Sequence, residues 1–177
     1  PRSPPRPHSR RTGSGGMIKR QFAAWDMEHL GQIEPERDPS GRLIELFPQE
    51  RYKDAATTQL HAYGAGPFCR FRIARGRKEA GLYVLTVDDA PVYAGECQDV
   101  GRRWGPNGYG GISPRNCFVG GQPTNCRLNA LILQQAKAGR RIDLWFTAVG
   151  VPREERQNLE RCLIRHLNPD CNIAGRY

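Results

Sequence analysis

Apolar and polar residues fall into short blocks along this chain. The block Leu82–Val87 is rich in β-branched and aromatic residues and ends at Asp88-Asp89-Ala90-Pro91, a turn sequence; Val92–Gly95 then reads as its antiparallel partner. Side chains alternate across a sheet, so Tyr83 and Tyr93 can share one face of this hairpin. Cys69–Ile73 alternates arginine with apolar residues and predicts a strand or an extended lead-in. Ile142–Val149 (IDLWFTAV) predicts a third strand. Asp99 stands where a helix cap belongs, ahead of Val100–Trp104, and that helix brings Arg103 back toward the sheet. Leu128, Leu131 and Ile132 mark one stripe of a helix that Thr124 or Asn125 can cap and that runs to Gly139. Pro152, Glu154 and Glu155 suit the positive end of a last helix with Leu159, Leu163, Ile164 and Leu167 on its apolar side. Asn168-Pro169 ends it.

Outside these blocks the pattern is weaker. Residues 1–16 (PRSPPRPHSRRTGSGG) offer almost nothing to bury and read as a disordered basic tail, with Met17 a natural start. Residues 17–66 form an extension of unknown role. In it Phe22–Leu30 reads as a short helix, Leu43–Phe47 as a short strand and Asp54–Tyr63 as helical. Residues 67–177 make up the principal domain. The expected fold is α+β, a small three-stranded antiparallel sheet flanked by helices, with the N-terminal extension beside it.

Composition narrows the function classes. No apolar run approaches the ~18 residues of a membrane span, and the N-terminus has no apolar segment of the secretory kind, so a cytoplasmic location is expected. The six cysteines include no CxxC pair and no tight spacing; they read as reduced, buried thiols rather than a disulfide frame or structural zinc ligands. The formal net charge is +9, unevenly spread: residues 67–78 carry five bases and no acid, and residues 101–141 carry seven and no acid. Forty-one consecutive residues without a carboxylate imply a face for phosphates, with a solvated basic surface as the plain alternative.

Five polar residues recur in a telling order. Gly81-Leu82-Tyr83 is followed by Tyr93-Ala94-Gly95, then Arg103, then Glu160, then Pro169-Asp170-Cys171-Asn172. This arrangement resembles the GIY-YIG nuclease family over roughly residues 79–175, with Leu and Ala in place of the two central isoleucines. The resemblance implies the three-stranded sheet and a metal-dependent endonuclease acting on nucleic acid, most simply DNA. It implies Glu160 as the single protein ligand of Mg²⁺ or Mn²⁺, an ion that keeps most of its water shell. It implies Arg103 on the phosphate oxygens. Tyr83 would be the general base, oriented by Tyr93, although the pair can exchange roles, and Asn172 would hold water or phosphate. A phenol with an ordinary pKa near ~10 needs neighbouring positive charge for such work.

Taken singly, each of these residues has a plain structural reading: strand tyrosines, a groove arginine, a helix-surface acid, a turn asparagine. Asn107 stands four residues after Arg103, where some restriction-type relatives place a histidine; His61 and His166 read as structural. The block Ser113–Asn129, containing PRNC and TNCRLN, resembles an insertion of a bacterial subgroup of the family. Arg102, Arg115, Asn116, Asn125 and Arg127 in or near it suit phosphate and base-edge contacts. The alternative is a loop that packs Cys117, Phe118 and Cys126 beneath the site. Two other readings stay open, a nuclease for single-stranded or branched nucleic acid (RNA included), with Trp104, Tyr109 and Phe118 as stacking surfaces, and a non-catalytic nucleic-acid-binding module.

Overall fold

A computed structural model describes residues 17–172, so the basic tail assigned to residues 1–16 lies outside the described residues. Five strands, β1 (Lys19–Phe22), β2 (Trp25–Gln32), β3 (Gly81–Val87), β4 (Ala90–Cys97) and β5 (Ile142–Ala148), form one sheet in the order β1-β2-β5-β3-β4. Every neighbouring pair is antiparallel. Three helices accompany it: α1 (Val100–Arg103), α2 (Pro123–Lys137) and α3 (Arg153–Leu167).

The expectation of a three-stranded sheet is therefore corrected to five strands. The extra two come from the N-terminal extension, where β2 pairs with β5 from Glu28↔Phe146 to Gln32↔Asp143. The predicted helix over Phe22–Leu30 is instead the β1–β2 hairpin, which turns at Ala23 with φ 53°. Of its three buried apolar residues, Phe22, Met27 and Leu30, the last two are three apart, and that spacing imitates a helical stripe. In the sheet an odd spacing puts them on opposite faces: Met27 packs with Trp145 and Leu163, Leu30 with Leu85 and Leu144. A strand covered on both sides does not alternate.

The same two-sidedness explains β3, all seven of whose residues are buried. Tyr83, Leu85 and Val87 face a core shared with α2 (Leu128, Ile132, Leu133) and Trp104. Leu82 and Val84 face a second core shared with α3 (Leu163, Ile164) and Trp145. The architecture is helix, sheet, helix, with the hairpin β3–β4 toward one edge.

The other helix and strand assignments of the extension also give way. Residues 54–58 form turns closed by Thr57 N–H and Thr58 N–H on the Asp54 carbonyl. Leu43 and Leu46 make isolated bridges to Arg37 and Phe68. Cys69–Ile73 is extended without strand pairing; its Phe71 N–H donates to Gly110 O at 3.1 Å. Asp99 caps α1 as expected, accepting from Arg102 N–H at 2.8 Å. α2 starts earlier than expected, at Pro123, so Thr124 and Asn125 lie in its first turn rather than capping it. Asn168 closes α3 in the left-handed conformation, φ 43°.

Candidate functional site

β3 pairs with β4 so that Tyr83 lies opposite Gly95 and Leu85 opposite Tyr93. Both tyrosine rings stand on the α2 face, their centroids 6.3 Å apart. The glycines of the two motifs make this possible. A Cβ on Gly95 would lie 2.5 Å from Tyr83 Cζ, so the Tyr83 ring crosses β4 only because that position is bare. A Cβ on Gly81 would overlap the Thr147 carbonyl and come within 2.7 Å of Phe146 Cζ.

A third tyrosine, offered by the sequence only as a base-stacking surface together with Trp104 and Phe118, joins them; all three rings are buried, so they stack within the protein and not on a substrate. Tyr109 reaches in from the glycine-rich loop after α1, and its hydroxyl is 3.1 Å from that of Tyr83. The buried ring of Trp104 meets Tyr83 and Tyr109 edge-on, with centroids 5.3 and 4.9 Å away. The Arg103 guanidinium lies 5.6 Å from the Tyr109 ring centre. The sequence signal for Tyr109 was slight: one aromatic among glycines, six residues after Arg103 and not four.

Electrostatics corrects one expectation. Burial raises the Tyr83 hydroxyl well above its ordinary pKa, and Tyr109 and Tyr93 add to that; Arg103 pulls it down, in the expected direction, but is outweighed. Burial likewise raises Tyr93, against a downward pull from Arg127. Burial works against the Arg103 charge, yet Tyr83, Tyr109, Cys97 and Glu96 more than compensate, so the guanidinium holds its proton more firmly than usual.

Glu160 stands at the edge of the α3 apolar stripe, as the helix pattern implies, and its Oε1 accepts from Glu96 N–H at 3.1 Å. Beside it Glu96 pairs with Arg156 at 2.7 Å, with side-chain exposures of 10% and 4%. Arg156 also donates to Val151 O, so this buried pair ties β4 to the start of α3. Burial keeps the Glu160 carboxyl above the usual carboxylate range. The Glu96 N–H lowers it, the Glu96 carboxylate raises it, and Arg103 and Arg161 lower it.

Tyr93, Glu160, Asn172, Arg127, Thr124 and Tyr63 line one cleft of about 490 Å³. Arg103 lines another of about 650 Å³ with Lys78, Arg102, Gln122 and Asn125. The first turn of α2 borders both. Tyr83, by contrast, is buried behind Tyr93 at 2% exposure.

All but one of the remaining predicted residues are engaged within the protein. Asn172 accepts from Ala94 N–H at 2.9 Å and donates to Ala94 O at 2.8 Å, pairing its amide with the edge strand as a neighbouring backbone would. Arg127 donates to Cys171 O, and Arg115 to Val119 O at 2.9 Å. Asn125 donates to Gln122 Oε1 at 2.6 Å. The Asn116 carbonyl takes a 2.7 Å bond to His61. Arg102 is exposed at the Arg103 cleft. Cys117, Phe118 and Cys126 form a small core with Phe68, which is the packing alternative for this block. Asn129, fully buried, clamps Cys69 N–H and O and also Tyr109 O, so the TNCRLN stretch holds the Tyr109 loop in place.

Among the described residues no group of three or more His, Cys, Asp or Glu side chains is arranged to hold an ion. The donor set at Glu160 is one ionisable carboxylate in a polar cleft, with Glu96 already committed to Arg156. That set fits a hydrated magnesium-type ion bound through one carboxylate and does not fit a closed cage. No helix among the described residues is long and apolar enough to cross a membrane. No protein-family model matches the chain, and neither does any curated protein or solved structure.

Proposed function

We propose that the protein is a metal-dependent endonuclease that hydrolyses phosphodiester bonds in DNA, in the manner of the GIY-YIG nucleases its motifs resemble. The observation that carries this reading is convergence: Tyr93 from β4 and Glu160 from α3 share one cleft, Arg103 from α1 lines a second, and the first turn of α2 borders both. These residues are far apart in sequence and belong to separate elements, which an incidental Tyr-Tyr hairpin does not require.

Glu160 would hold Mg²⁺ or Mn²⁺, and such an ion supplies Lewis acidity to the phosphate and to the leaving 3′-oxygen. Arg103 donates to the non-bridging oxygens as negative charge builds on them. Tyr93, which lines the cleft, orients the attacking water through its hydroxyl. Arg127 beside it favours the phenolate form, against the burial that disfavours it. Tyr83 supports that arrangement from behind through its ring contact with Tyr93, and its own hydroxyl meets Tyr109. This exchanges the two tyrosine roles that the motif order alone suggested. Asn172 fixes the turn that closes the cleft instead of binding phosphate.

One feature favours a substrate with an unpaired base next to the scissile bond. Tyr63 is 41% exposed and lines the same cleft, and the Arg127 guanidinium lies 5.9 Å from its ring centre, an aromatic face on which a base can stack.

The test uses purified protein with Mg²⁺ or Mn²⁺ on labelled single-stranded, duplex and branched DNA, with cut ends sequenced. Wild type should cut at least one substrate. Glu160→Gln should not cut, while binding it within a few-fold of wild type. Appreciable cleavage by Glu160→Gln would rule out this site.

A further inference from the structure

The run of residues 101–141 holds seven bases and no acid, yet the folded chain pairs three of them with carboxylates from elsewhere and ties two more to backbone carbonyls. Lys137 pairs with Glu45 at 2.5 Å, Arg140 with Asp88 at 2.8 Å and Arg141 with Asp143 at 2.7 Å. Arg115 and Arg127 donate to backbone carbonyls. Only Arg102 and Arg103 of the seven are left facing a cleft without such a partner.

The second acid-free run behaves differently. Residues 70–79 lie alongside α1 and the loop after it, held by Phe71 N–H to Gly110 O at 3.1 Å, Gly101 N–H to Arg77 O at 3.0 Å and Val100 N–H to Glu79 O at 3.0 Å. Arg70, Arg72, Arg75 and Lys78 are exposed along this seam, next to exposed Arg102. The nearby carboxylates are already occupied. Glu28 and Glu79 hold Arg77, Asp99 caps α1, and Glu36 sits 3.8 Å from Arg70. No described carboxylate pairs with Arg72, Arg75, Lys78 or Arg102.

Three hollows join along the seam. The Arg103 cleft shares Lys78 and Asp99 with a shallower hollow of about 410 Å³ that also touches Arg72. That hollow shares Pro106 with a third, of about 300 Å³, between Arg51 and Arg70. Asn107 borders the first and the third, which closes the chain of contacts.

We infer that this seam is the path of the nucleic-acid backbone on one side of the cut. It leaves the Arg103 cleft over Lys78 and Arg102, passes Arg72 and ends at the Arg51–Arg70 hollow. The inference rests on the nuclease reading and deepens it by naming where the substrate lies. Unpaired guanidinium and ammonium groups in a row are the chemistry that binds consecutive phosphates without reading sequence. The N-terminal extension thereby gains a binding role through Arg51.

The test measures equilibrium binding of a fluorescein-labelled DNA oligonucleotide to the Glu160→Gln protein across a salt series. Each phosphate contact contributes a slope of roughly 0.7–0.9 in log Kd against log salt. Replacing Arg72, Lys78 and Arg102 together with alanine should lower the slope by about two to three and weaken binding roughly 10²-fold at about 0.1 M salt. Arg165→Ala, on the exposed side of α3, serves as the comparator and should leave the slope unchanged. The three replaced side chains are exposed and unpaired, so thermal unfolding should match the parent; single Lys78→Ala and Arg102→Ala proteins give the same answer if the triple one does not fold. Unchanged slopes in these proteins, with a parent that binds and a wild type that cuts, would overturn the path and leave the nuclease reading standing. A wild type that neither binds nor cuts ends both.

Discussion

Replacing Asn172 with alanine separates a structural amide from a catalytic one. Its carboxamide makes two bonds to the backbone of Ala94, at 2.9 and 2.8 Å, and Ala94 is fully buried. Each bond contributes a net of about 0.5–1.5 kcal/mol, and a buried group left bare costs about 1–3 kcal/mol. The turn carrying Asn172 is also held by Cys171 N–H on Val92 O at 2.9 Å. Fraying of that turn would let water reach Ala94 and cap the loss, so the expected destabilisation is about 2–3 kcal/mol, or roughly 5–10 °C in Tm for a chain of this size. Urea unfolding followed by tryptophan fluorescence reads it directly. Asn172→Asp is the informative companion. Its carboxylate keeps the acceptor for Ala94 N–H but presents no proton to Ala94 O. Its deficit should therefore shrink as pH falls through the carboxylate range, when the protonated acid donates again. An Asn172→Ala protein of unchanged stability that has lost cleavage would refute the clamp and return the residue to the substrate.

Other consequences follow from the same geometry. Glu160→Gln should be more stable than wild type near neutral pH: burial holds the folded-state pKa above the unfolded value, so folding retains a proton that ionisation removes, and wild-type stability falls as pH rises through that window. Calorimetry should show the difference fading below the ordinary carboxylate range, and Mg²⁺ should raise the Tm of wild type but not of Glu160→Gln. Tyr109→Phe keeps the ring against Trp104 but removes the hydroxyl that meets Tyr83, so single-turnover cleavage should drop by about 10²-fold with binding unchanged. Tyr93→Phe should be slower than Tyr83→Phe, and the reverse order would return the reacting role to Tyr83. Gly95→Ala forces a Cβ into the Tyr83 ring and should cost about 1–3 kcal/mol by denaturant unfolding; wild-type stability would mean that the ring has room to move.

The hairpin, the last helix and its cap were legible because local signals agreed with the fold. Asp99 caps α1 with its own side chain, the turn at Asp88-Asp89 joins β3 to β4, and Asn168-Pro169 stops α3. The N-terminal strands were not legible, because β2 is buried on both faces and Met27 and Leu30 go to different cores. Hydrophobic spacing reports one buried face well and two buried faces poorly. The turns over residues 54–58 were missed for a different reason: their apolar residues are sparse, and Asp54 spends its carbonyl on a local turn.

Charge is where sequence and fold diverge most for the site. A stretch without carboxylates looks open to phosphate, but neutralisation is a property of three-dimensional neighbours. Asp88 comes from the β3–β4 turn, Asp143 from β5 and Glu45 from the extension, and together they occupy three of the bases in residues 101–141. In the shorter run at 67–78, Arg77 is held by Glu28 and Glu79 and Arg70 lies beside Glu36, but Arg72, Arg75 and Lys78 stay exposed without a carboxylate partner, and Asp99 next to them is spent on a backbone N–H. A carboxylate that caps a helix remains negative but offers an arginine less than a free one does. The cations that matter for substrate are therefore those whose neighbours are already occupied, and the hydrogen-bond partners of the acids, not the spacing of the bases, identify them.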